Sequence, residues 1–170
     1  MARLVKSFAA EDLALSLDEV DERLQQLLVL LPELGSRVAT LKPVLLAALL
    51  RAPAVVAQRL VGLRLALPAC NVKELVLRDP ALLLREVDDV VGEMSVVAGV
   101  LGLSERVTQE LVSLQPRFLD AEGMVEVVKE LRRLLPGAEP GQVLRNDPSW
   151  LLRLERGPKK IGALPEDKCY

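Results

Sequence analysis

The chain has 170 residues, 51% of them hydrophobic but only 2% aromatic, with a formal net charge of −2 and no histidine. That allows one sizeable core or a short repeat array, built mainly by leucine, which occurs 37 times. The lack of histidine removes imidazole acid–base chemistry, Ser-His-Asp and Cys-His nucleophiles and imidazole-bound metals, so composition argues against an enzyme. No residue is assigned a catalytic, cofactor-binding or metal-binding role, and no small-molecule substrate is expected. The near-neutral charge excludes any whole-chain pull toward nucleic acid or an anionic membrane. Cys70 and Cys169 make neither a disulfide framework nor a zinc knuckle and read as two unpaired thiols in a reducing compartment. The longest uncharged apolar run, Met94 to Ser104, is too short to span a bilayer.

Residues 1–16 read as an N-terminal arm. Arg3 and Lys6 are followed by six acids from Glu11 to Glu22, a poor match to an acid-poor transit peptide. For an imported protein, the targeting segment is expected to lie outside this numbering. Ser16-x-x-Glu19 is a capping box, and Val20, Leu24, Leu27, Leu28 and Leu31 share one face of a predicted helix over 17–31. Pro53 opens a second helix, 53–66, with Val56, Leu60 and Leu63 on its inner stripe. Asn71 with Glu74 caps a short helix; Asp79-Pro80 then turns the chain, since proline cannot continue a helix without losing a hydrogen bond. A third long helix is predicted over 87–101, ending at Gly102, and a fourth over 122–135.

Two landmarks recur along this path. Pro43, Pro80, Pro116 and Pro148, each followed by apolar residues, lie 37, 36 and 32 residues apart. Eleven or twelve residues before each comes Leu31-Pro32, Leu67-Pro68, Leu103-Ser104 or Leu135-Pro136. Between the landmarks sits an apolar pair: Val38-Ala39, Leu75-Val76, Leu111-Val112 and Val143-Leu144. The expected fold is therefore all-α, a right- or left-handed solenoid of about four helical repeats of two to three helices each over 17–156, with an extended tail over 157–170. The fourth repeat lacks a long helix. Trp150, Leu151 and Leu154 are then expected to stay partly exposed and, with Ile161 and Leu164 of the tail, to dock on a partner.

Leu101-Gly102-Leu103-Ser104 with Pro116-Arg117-Phe118-Leu119, and the Asp-Pro-x-x-Leu runs at Asp79 and Asp147, resemble the repeat of the mitochondrial transcription termination factor (mTERF) family. The resemblance covers about residues 24–156. It implies a helical-repeat protein of a mitochondrion or chloroplast that binds RNA or DNA, with structured RNA the expected target, alongside protein subunits of a large assembly such as a ribosome. Only the resemblance brings in nucleic acid. The alternative is a scaffold subunit that docks by protein contacts alone.

Charge distribution supplies candidates for phosphate contact. From Leu34 to Lys73 there are six bases (Arg37, Lys42, Arg51, Arg59, Arg64 and Lys73) and no acid. Arg85 and Arg153 each lie five residues after a repeat proline. Around the latter, Arg132, Arg133, Arg145, Arg156, Lys159 and Lys160 form a second basic stretch. The competing reading of every one of these residues is a solvated helix face.

Overall fold

A computed structural model describes residues 2–155, and every regular element among them is helical. The helices are α1 (Ala2–Leu13), α2 (Leu17–Leu30), α3 (Pro43–Arg51), α4 (Pro53–Ala66), α5 (Val72–Arg78), α6 (Val87–Leu101), α7 (Glu105–Leu114), α8 (Ala121–Leu134), α9 (Pro140–Asn146) and α10 (Ser149–Glu155). Three tighter 3₁₀ segments, Pro32–Thr40, Pro80–Leu84 and Pro116–Leu119, lie between them. The four long helices fall within one residue of the spans expected from apolar spacing. No described helix is long and apolar enough to cross a membrane.

Local chemistry accounts for the element boundaries. Ser16 accepts from the Glu19 N–H while the Glu19 carboxylate accepts from the Ser16 N–H, a complete capping box at the head of α2. Asn71, Ser104 and Asp120 cap α5, α7 and α8 with their side chains. Proline stands at the first position of α3, α4, α9 and all three 3₁₀ segments, where its missing N–H leaves no hydrogen bond unmade. Pro43, Pro80 and Pro116 each open such a piece, and Pro148 immediately precedes α10. Gly102 ends α6 at φ 63°, a conformation that costs other residues energy.

The chain divides into two compact units, Met1–Val91 and Gly92–Tyr170, with the boundary falling inside α6. In the first, α1 packs chiefly on α3, α2 packs on α4, and the Pro80–Leu84 turn packs on both α3 and α4. Leucine leads its core, with Leu24, Leu27, Leu31, Leu46, Leu50, Leu60, Leu63 and Leu83 buried alongside valines such as Val20, Val56 and Val76. Each such side chain contributes about 1.5–3 kcal/mol on leaving water. In the second unit, α10 packs on α8 and α9, and the buried set includes Met94, Val97, Leu111, Phe118, Leu131 and Leu144.

Two expectations need correction. Within the expected N-terminal arm, residues 1–16, α1 forms a helix whose Val5, Ala9 and Ala10 are buried. These small side chains carry too little hydrophobicity to mark the helix, yet they let it lie close on α3. The second concerns Leu151, which is 0% exposed rather than partly exposed, because the short α10 covers it with α8 and α9; Trp150 and Leu154 are half-buried and Leu152 is 41% exposed.

Candidate nucleic-acid interface

A cation can contact a phosphate only if it is exposed and not already held by an acceptor of its own chain. By that test the basic candidates separate sharply. Arg37 donates from Nη1 to the carbonyl oxygen of Leu77 at 2.6 Å, next to the last residue of α5. Arg59, with a side chain 19% exposed, donates to the carbonyls of Leu83 and Leu84 at 3.4 and 2.9 Å and pairs with Glu86. Arg23, which the basic stretches do not include, does the same for α3, donating to Leu50 O at 3.1 Å and Arg51 O at 3.4 Å.

These three guanidinium groups share one role. The last carbonyls of a helix have no N–H partner within it and carry the negative end of its dipole. A planar fork of donors on a long stem reaches them from a neighbouring element and neutralises both deficits. Arg37 and Arg59 are therefore structural ties, rather than free phosphate contacts. Sequence reasoning misses this because each donor and its acceptor lie 24 to 40 residues apart.

Other candidates are held by carboxylates. Arg51 pairs with Asp12 at 3.5 Å, and Lys73 with Glu33 at 2.5 Å. Lys73 hydrogen-bonding holds the Glu33 carboxyl below its ordinary range. Arg133 pairs with Glu130 at 2.6 Å, lowering the Glu130 pKa while its own rises. Arg153 lies 5.4 Å from the centre of the Trp150 ring and 3.4 Å from Asp147, whose pKa is lowered by the Ser149 hydroxyl first and by Arg153 least. Arg85 is half-buried and engaged. Such exposed pairs contribute little each and exchange readily with a stronger anion.

Four exposed candidates pair with no described residue: Lys42 and Arg64 in the first unit, Arg132 and Arg145 in the second. Arg156, Lys159, Lys160, Ile161 and Leu164 lie outside the described residues. The half-buried Leu154 borders a shallow cavity of about 330 Å³ with Gly123, Glu126 and Lys129 of α8. Among the described residues no cluster of His, Cys, Asp or Glu has the arrangement to hold a metal ion. Comparison of the chain with protein-family models, with curated proteins and with solved structures finds no match.

Proposed function

We propose that this chain is an mTERF-like helical-repeat protein that binds nucleic acid, with structured RNA as its target, in the gene expression of a mitochondrion or chloroplast. It acts as a non-enzymatic component of a ribosome or similar ribonucleoprotein. The observation that supports this reading is the element order. A short helical segment, a proline-opened piece and a long helix follow one another over 32–66, 72–101 and 105–134, and Pro140 begins a fourth. Three-part units of this kind cannot bury both faces alone, so the proposal includes their stacking as a solenoid. Lys42, Arg64, Arg132 and Arg145 are the phosphate contacts of this reading, because no described residue pairs with them.

The test is fluorescence anisotropy of a labelled RNA stem-loop, and of a DNA duplex of equal length, across a salt series. Each phosphate contact steepens the dependence of log affinity on log salt by about 0.7–0.9 units. Replacing Lys42, Arg64, Arg132 and Arg145 together by Glu is expected to flatten the RNA slope by about that amount for each phosphate no longer neutralised. An unchanged slope would return all four to solvated helix faces.

A further inference from the structure

We propose that the cleft between α1 and α3 is a docking site for a basic segment of a partner protein, one that sets a Lys or Arg beside an apolar anchor. The inference is independent of the nucleic-acid reading, although Lys42 of that reading immediately precedes the Pro43 that lines the cleft. The cleft, of about 260 Å³, is lined by Phe8, Glu11, Asp12, Pro43 and Val44. Leu4, Phe8 and Glu11 recur at helical spacing along one edge of α1, beside the buried Val5 and Ala9. Leu4 is 61% exposed, Phe8 51% and Val44 74%, three large apolar side chains in one neighbourhood. An exposed aromatic flanked by aliphatics in a concave site is the composition of a binding anchor point rather than of ordinary surface.

Charge selects the occupant. Glu11 is exposed and pairs with no described residue, and Asp12 is only loosely met by Arg51. Six acids without a base run from Glu11 to Glu22; Lys6 pairs with Asp21 and Arg51 with Asp12, which leaves Glu11 as the uncompensated charge beside the apolar floor. A second copy of the same face would set carboxylates against carboxylates. A protein segment with a cation next to an apolar side chain satisfies both halves of the cleft, the cation at Glu11 and the apolar group against Phe8 and Val44.

The probe is a fluorescein-labelled twelve-residue peptide of alternating lysine and leucine, with its glutamate–leucine counterpart as control, titrated with the full chain. The wild type is expected to bind the basic peptide and not the acidic one, more weakly as salt rises. Glu11→Lys, and separately the pair Phe8→Ser and Val44→Ser, are expected to weaken binding at least about tenfold. All three positions are exposed, so circular dichroism should be unchanged. Leu65→Ser, which removes an exposed apolar side chain from α4, should leave affinity unaltered. RNA affinity of the α1 and α3 variants should equal that of wild type, which separates this site from the basic residues. Peptide affinity equal to wild type in the Glu11 and Phe8/Val44 variants, or equal loss on Leu65→Ser, would overturn the proposal.

Discussion

The Arg37 guanidinium closes a span of 40 residues by donating to the carbonyl oxygen of Leu77 at 2.6 Å. A charged donor on a partly buried acceptor contributes about 1.5–3 kcal/mol, more than a neutral hydrogen bond. Arg37→Ala is expected to lower stability by roughly that amount in urea melts. Arg37→Lys should recover less than half of the loss, because a point charge on a shorter stem lacks the planar fork.

Arg59 and Arg64 differ in kind although both belong to α4. Arg59→Glu sets a carboxylate against the carbonyls of Leu83 and Leu84 and against Glu86, and is expected to cost about 2–4 kcal/mol. Arg64→Glu touches no described partner and should change stability by less than about 0.5 kcal/mol. Thermal melts of the two variants check this directly. They also show why Arg64, and not Arg59, is the informative position for RNA-binding assays.

Gly141 and Gly99 give opposite expectations for the same substitution. A Cβ on Gly141 would collide with the backbone carbonyl of Leu101, which cannot rotate aside, so Gly141→Ala is expected to destabilise by about 1–3 kcal/mol. A Cβ on Gly99, inside α6, meets nothing within 4 Å. Gly99→Ala should therefore stabilise by about 0.5–1 kcal/mol through helix propensity. Calorimetry on both variants separates packing from propensity.

Leu151 decides whether the last helix is seated. Being 0% exposed, it should cost about 2–4 kcal/mol on replacement by Ala, with hydrogen exchange over 143–154 quickening in step. Slow exchange unchanged by the substitution would mean that α10 contributes nothing to holding α8 and α9.

The pH dependence follows from carboxylates alone. The Ser16 N–H and then its hydroxyl depress the Glu19 pKa, Lys73 depresses that of Glu33, Arg133 that of Glu130, and Ser149 that of Asp147. A carboxylate with a lowered folded-state pKa adds stability above its unfolded pKa, and that stability is lost as pH falls through the folded value. Without histidine, stability is expected to change little between about pH 6 and 8 and to decline below the ordinary carboxylate range. Ser16→Ala should raise the Glu19 pKa, and proton titration by NMR reads that shift.

The long helices were legible from their 3.6-residue apolar stripes, joined by a capping box at α2 and an opening proline at α4. Met124, Val127, Val128 and Leu131 suffice to locate α8; its Asp120 cap emerges from the structure. α1 was not legible, since Val5, Ala9 and Ala10 gain their burial chiefly from α3, some forty residues later, and from α2 and the Pro32–Thr40 segment. The same distance hides the candidate sites. Six bases without an acid look like one basic patch, but Glu33, Glu86 and the carbonyl of Leu77, all outside or at the edge of that stretch, draw three of them away. Which cations remain free is a property of tertiary pairing, and no spacing rule encodes it.

Arg23, Arg37 and Arg59 each tie a helix end to an element far along the chain. Without such ties, the last turns of α3 and α5 would fray individually, as helix ends in leucine-rich proteins commonly do. With them, opening one end requires releasing a partner on another element, so neighbouring helices must loosen together. Residues 1–91 should accordingly behave as one foldon, with exchange rates at the helix termini approaching those at the helix centres. All-or-none behaviour in this unit would then be set by three side chains, and not by the size of its core.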